Sequence, residues 1–242
     1  MCHPTDARPP APPITTGGIA EEGPLRLTAA DGNAFRAYRA VPEVPNGRSV
    51  VILPDIRGLH PFYEALAGRF AEAGFTAIAF DYYGRLDAET LADDDLMRRI
   101  GLLEPAHVDA DVDAVRELLD GPVFTVGFCL GGGHSWRQAA REIGLAGAVG
   151  FYGPPRFFGD STESLSAPLL MLLAGDDVAT PTAEFEALAA GFDRAGKQYE
   201  MHVYDGAPHS FFDVAAAEWQ EACADAWGRI LDFTGVSGTS RR

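Results

Sequence analysis

The apolar positions of this chain fall into short, dense runs separated by longer stretches of mixed character. Residues 49–53, 75–80, 123–128, 147–151 and 169–174 are apolar or small at nearly every position. Runs of that length without alternation are strands covered on both faces, the pattern of a parallel sheet. Residues 199–204 alternate more and predict a further strand. Between the runs, residues 61–73, 105–119, 130–143, 182–195 and about 215–233 carry apolar positions at helical spacing. Ahead of them, residues 25–28 and 34–41 flank the turn-rich Ala30-Asp31-Gly32-Asn33 and predict an N-terminal antiparallel hairpin. Strands alternating with helices give an α/β fold, a mostly parallel sheet with right-handed crossovers and helices on both faces. Ligands bind such sheets at the carboxyl ends of the strands, so chemistry is expected just after each one.

Composition narrows the class. Of 242 residues, 47% are hydrophobic and 22% charged, ordinary for a globular protein, and the length suits one α/β domain. Residues 1–23, rich in Pro, Gly and Thr, read as an extended arm without a core of its own, residues 24–235 as the domain, and residues 236–242 as a polar tail. A formal net charge of −16 repels phosphates and anionic headgroups, which argues against a nucleic-acid or membrane-surface partner. The cysteines, Cys2, Cys129 and Cys223, match no zinc or disulfide spacing. With no apolar leader and no run long enough to span a bilayer, the expectation is a soluble cytoplasmic protein, a monomer or weak homodimer. Cys223 lies in an apolar helical pattern and reads as a small buried hydrophobe.

Cys129 differs. The strand at 123–128 runs straight into Gly127-Phe128-Cys129-Leu130-Gly131-Gly132-Gly133 and then into a helix. This is the layout of a nucleophile elbow with Cys where the usual pattern has Ser. The turn is so sharp that its flanking positions must be glycine. A thiol there sits at a helix N-terminus, where the dipole favours an anion. The Leu130 amide then points toward a developing oxyanion. A bare Gly-x-Cys-x-Gly is equally a strand–helix turn with a buried thiol; the strand before it and the helix after it favour the nucleophile.

A thiol nucleophile needs a base. His209, in Gly206-Ala207-Pro208-His209-Ser210-Phe211-Phe212, follows the final strand and fits the chain order nucleophile, acid, histidine. His202 lies within a strand, His134 in the helix after Cys129 and facing away, His107 on a helix surface and His60 in a loop. The imidazole needs an orienting carboxylate, and the run 169–174 ends in Gly175-Asp176-Asp177. Either aspartate could serve. A tight turn at Gly175 carries Asp177 further toward the histidine loop and leaves Asp176 to cap the turn, so Asp177 is preferred.

Two other strand ends carry candidates. Pro54-Asp55-Ile56-Arg57-Gly58 follows an early strand, where the second oxyanion amide normally originates, and Ile56 is the candidate donor. Asp55 and Arg57 flank it, either as groups that approach the thiol or as a local ion pair. In Asp81-Tyr82-Tyr83-Gly84-Arg85, Arg85 either anchors a substrate carboxylate or pairs with Asp87 or Glu89.

Together these segments resemble the dienelactone hydrolase family of the α/β-hydrolase superfamily over roughly residues 25–234. Gly-Phe-Cys-Leu-Gly-Gly and Ala-Pro-His-Ser-Phe carry the resemblance most specifically, with Asp-Ile-Arg-Gly and Asp-Tyr-Tyr-Gly-Arg in support. The resemblance implies an α/β-hydrolase fold and a triad of Cys129, Asp177 and His209. It implies a carboxylate near the thiol at Asp55, where the family usually has glutamate. It also implies a carboxylate-binding arginine at Arg85. The family's second such arginine falls on Asp213, and an acidic residue there would repel a substrate carboxylate.

The resulting expectation is a hydrolase of small-molecule carboxylic esters or lactones, acting through a thioester and needing no metal or organic cofactor. The alternative is a non-catalytic small-molecule-binding protein on the same scaffold. A fast-reacting, low-pKa Cys129 favours the enzyme and an inert thiol the binder.

Overall fold

The computed structural model describes residues 6–92, 95–159 and 161–236; Cys2 and all but the first residue of the expected polar tail lie outside them. Eight strands among the described residues form one sheet. They are β1 (Ile19–Thr28), β2 (Ala34–Pro42), β3 (Ser49–Leu53), β4 (Thr76–Phe80), β5 (Val123–Phe128), β6 (Gly147–Phe151), β7 (Leu169–Asp176) and β8 (Tyr199–Pro208). Their order is β1-β2-β4-β3-β5-β6-β7-β8. The pairs β1–β2 and β2–β4 are antiparallel and all others parallel. The expected mostly parallel sheet with an N-terminal hairpin is therefore present.

Continuous apolar runs became central strands because both of their faces are covered. Every residue of β3 is buried. Val50 and Ile52 join one core with α1 (Pro61–Glu72) and α7 (Gln220–Phe233), while Val51 and Leu53 join the opposite core. That second core is closed by α4 (Pro105–Arg116), α5 (Leu130–Gln138) and α6 (Thr182–Arg194). Burying one such Val, Leu or Ile side chain contributes roughly 1.5–3 kcal/mol, which pins the strand's register. Among the described residues, no helix is long and apolar enough to cross a membrane.

The structure departs from the pattern in three places. First, α5 stops at Gln138 instead of continuing to residue 143. The Ala139 carbonyl there accepts the Ser166 and Ala167 amides, and the chain turns away. Second, α2 (Ala88–Ala92) and α3 (Leu96–Gly101) were not expected. They are too short for a periodic trace, and α3 buries none of its residues. Third, β1 starts at Ile19, and the chain ahead of it is docked on the body. Ala7 is 1% exposed, in the core that holds Phe211, Phe212 and Trp227.

Candidate active site

At the carboxyl end of β5, Cys129 caps the N-terminus of α5 with φ 53° and ψ −118°. A positive φ on a non-glycine residue costs of order 1–3 kcal/mol and persists only where the surroundings hold it. Here the Cys129 N–H donates to the Phe151 carbonyl at 3.0 Å. The flanking glycines let backbone meet backbone: a Cβ on Gly127 would lie 1.9 Å from the Gly131 carbonyl oxygen, and one on Gly131 would lie 2.0 Å from that of Leu53. Gly131→Ala should therefore destabilise the protein by about 3 kcal/mol or more, read as a lower urea midpoint. An unchanged midpoint would mean the elbow can spread apart from β3. Leu130 is the first residue of α5, so its N–H has no acceptor within the helix.

The loop after β3 is held open beside the elbow by tyrosines. Tyr82 Oη donates to the Pro54 carbonyl at 2.9 Å and Tyr83 Oη to the Ile56 carbonyl at 2.6 Å. The Asp55 N–H donates to Tyr63 Oη at 3.0 Å. Asp55 to Gly58 forms a tight turn: the Gly58 N–H bonds the Asp55 carbonyl at 3.0 Å, and the Arg57 N–H bonds Asp55 Oδ1 at 2.9 Å. Asp at the first turn position and Gly at the last, with φ +74°, suit that geometry. The turn directs the Asp55 carbonyl to Gly58, so the Ile56 N–H of the same trans peptide points the opposite way.

The Asp55 carboxylate is buried and its Oδ2 meets Arg57 Nη2 at 2.9 Å, with His60 Nε2 at 3.6 Å. Burial pushes this carboxyl up, but His60 and Arg57 together outweigh it and hold it well below the usual carboxylate range. Asp55 and Arg57 thus form a local ion pair.

His209 lies just beyond β8, and its Nδ1 is 2.8 Å from Asp177 Oδ2, with both side chains nearly sealed from solvent. The other Asp177 oxygen accepts the Ala179 N–H at 2.8 Å. Asp176 ends β7 exposed. Gly175 permits this turn, because a Cβ there would lie 2.7 Å from the Tyr204 carbonyl oxygen. Tyr152, just past β6, packs its ring 4.6 Å from the imidazole and also carries a positive φ, 39°. Sequence reasoning missed Tyr152; the available signal was its position at the carboxyl end of a buried strand.

Cys129 and His209 line one cavity of about 240 Å³, together with Ile56 and Leu130. Its walls are apolar: Met97 and Ile100 of α3, Pro154 and Phe157. Among the described residues, Arg156 is the one lysine, arginine or carboxylate side chain on its lining, with its guanidinium 5.1 Å from the Phe157 ring centroid. Neither α3 nor Arg156 was singled out in the sequence, since a short exposed helix and a lone arginine after Pro155 carry no pattern.

The structure does not bring Arg85 to this cavity. Its guanidinium pairs with Asp31 and with the buried Asp111 at 2.6 Å, and donates to the His107 carbonyl at 3.1 Å. Distant acids from the hairpin turn and α4 neutralise it, instead of Asp87 or Glu89. Asp213 is not on the lining either; it is buried and accepts the Arg8 and Ala215 amides, so it does not face a substrate.

His134 is buried between Tyr82 and Phe157, its Nδ1 without a partner. Burial first, then the field of Arg137, pushes it down to about 3. The unfolded chain titrates near the ordinary histidine value of about 6.5, so below that pH it binds a proton the folded chain refuses. Stability present above about pH 6.5 is therefore lost as pH falls toward the folded value. Compared with His134→Leu, the wild type should lose roughly 2 kcal/mol more between about pH 6 and about pH 4. Urea unfolding across that range checks this, and parallel pH slopes would count against it.

The model of the dienelactone hydrolase family matches residues 35–236. A protein of Salmonella typhi provisionally named carboxymethylenebutenolidase is 28% identical over 96% of this chain and 95% of its own length. A Bradyrhizobium protein provisionally named 2-oxo-3-(5-oxofuran-2-ylidene)propanoate lactonase is 26% identical over 84% of this chain and 90% of its own. The crystal structure of a provisionally named dienelactone hydrolase from Klebsiella pneumoniae superposes with a TM-score of 0.77. It is 27% identical and covers 90% of this chain and 100% of its own.

Proposed function

The chain belongs to the dienelactone hydrolase family, and we propose that it hydrolyses small carboxylic esters or lactones through Cys129, His209 and Asp177. The observation that carries this reading is the 2.8 Å contact between Asp177 and His209 beside a cavity lined by both Cys129 and His209. Asp177 accepts a hydrogen bond from Nδ1–H, which leaves Nε2 as the free base. Nε2 takes the Cys129 Sγ proton, and the thiolate, favoured by the N-terminus of α5, attacks the ester carbonyl carbon. The Ile56 and Leu130 N–H groups hold the oxyanion. When the tetrahedral species collapses, the C–O bond breaks and the imidazolium gives its proton to the departing alkoxide. A thioester remains. His209 then deprotonates a water, which attacks the thioester, and the acid leaves as Sγ regains its proton.

The lining supports a substrate that is mainly apolar. Arg156 provides a single cation at its edge, and among the described residues no carboxylate pairs with it. A panel of aryl esters and lactones, matched with and without a carboxylate, tests this. Preference for the carboxylate members should fall about three- to tenfold in kcat/KM in Arg156→Ala, as expected for one partly exposed charge contact. Arg85→Ala should leave that preference unchanged. If the preference survives in Arg156→Ala and falls in Arg85→Ala, the anchor is elsewhere than proposed.

A further inference from the structure

Asp213 lies four residues past His209 and is 3% exposed. Such a buried carboxylate is costly unless its oxygens are bonded. Among the described residues no cation pairs with it. Its Oδ1 accepts the Arg8 N–H at 2.9 Å and the Ala215 N–H at 3.1 Å. The arm returns the bond, since the Arg8 carbonyl accepts the Val214 N–H at 3.0 Å. Two residues on, the Pro10 carbonyl accepts Trp227 Nε1–H of α7 at 3.0 Å.

The segment so held leads straight back to the imidazole. From His209 the chain passes through Ser210, at φ 66°, to Phe211 and Phe212, both 1% exposed in the core that Ala7 also enters. Ser210 is a non-glycine residue in the left-handed region, and that conformation persists only where both sides are held. On one side the holder is the Asp177 contact; on the other it is Asp213 with the arm.

We propose that Asp213 and the Arg8–Pro10 arm form a clasp that positions the His209 loop, so the arm is part of what keeps the imidazole against Asp177. Asp213 is a positioning residue: it touches no substrate and acts through Phe211, Phe212 and Ser210. The proposal rests on the reading of His209 as the base.

The test uses the full chain and p-nitrophenyl acetate. Arg8→Pro removes the arm's N–H and sets the ring Cδ against Asp213 Oδ1, so it breaks the clasp from the arm's side. Arg8 precedes Pro9 and is thereby already biased to the extended region a proline adopts. Among the described residues, its guanidinium donates to the neighbouring Asp6 and Ala7 carbonyls alone. Arg8→Pro and Asp213→Ala should lower kcat roughly tenfold or more with KM within about twofold. The amides of residues 209–216 should exchange faster with solvent deuterium in both. Asp213→Asn should retain most activity, because its amide oxygen still accepts both N–H groups. Should Asp213→Ala fail to fold, Arg8→Pro decides alone. Unchanged kcat in Arg8→Pro with faster exchange at 209–216 would overturn the clasp. Cys129→Ala, run alongside, separates the two ideas: activity surviving there rejects the site reading itself.

Discussion

Cys129→Ala is expected to reduce hydrolysis of an aryl ester by about ten-thousand-fold or more while leaving the melting temperature nearly unchanged. The loss follows because, among the described residues, Cys129 is the one thiol that lines the cavity with His209. Thr180 is the other hydroxyl or thiol side chain on the lining, but it lies beyond Asp177, on the loop after β7. The folding part follows from the backbone. Alanine keeps the Cβ, so the strained φ of 53° and the N–H hydrogen bond to the Phe151 carbonyl survive. Only a small, half-buried sulfur is lost. Stopped-flow release of p-nitrophenolate, with the melting curve as control, reads both. A variant with wild-type turnover would remove Cys129 from the mechanism. Iodoacetamide gives an independent reading: Cys129 should alkylate far faster than Cys223, whose burial raises its thiol to about 11.

Asp177→Asn is the second large effect, expected to cost about a thousand- to ten-thousand-fold in kcat. The amide keeps the shape of the carboxylate but can donate to Nδ1. That stabilises the tautomer with the proton on Nε2, where it cannot accept from the thiol. The imidazolium formed on proton transfer also loses its counter-charge. KM should move much less, because Asp177 lies behind His209 and is absent from the cavity lining. Asp176→Asn, altering an exposed residue at the end of β7, should change kcat by less than about twofold. Equal losses from the two substitutions would mean the pair acts as a general field and not through one oriented hydrogen bond.

Much of this molecule was legible before folding. Five continuous apolar runs became the five inner parallel strands because a strand covered on both faces tolerates few polar positions. The elbow was legible because its glycines answer a local demand: neighbouring backbone approaches within 2.0 Å of where a Cβ would sit. Asp55-Ile56-Arg57-Gly58 was legible only as the loop after an early strand; its tight turn emerged in the structure. Weaker signals failed where local rules do not apply. The short helix α3 buries nothing, so no periodicity marked it, yet it supplies Met97 and Ile100 to the cavity wall.

The charges show the limit most plainly. Arg85 and Arg156 look alike in sequence, each following a strand. Folding brings Asp31 and Asp111 onto Arg85, 54 and 26 residues away, and leaves Arg156 on the cavity edge. Asp213 read as a repulsive group in the substrate site and instead receives the amide of Arg8, 205 residues distant. The two tyrosines of Asp81-Tyr82-Tyr83 turn out to brace the Ile56 loop, across 28 and 27 residues. By itself, then, the sequence determined the strands and the thiol turn between β5 and α5, because each depends on neighbours a few residues apart. Only the tertiary structure decided which aspartate meets His209, which arginine lines the cavity, and which amides Asp213 accepts. Coulomb and hydrogen-bond partners act over a few ångströms, and packing alone sets which distant residues come that close.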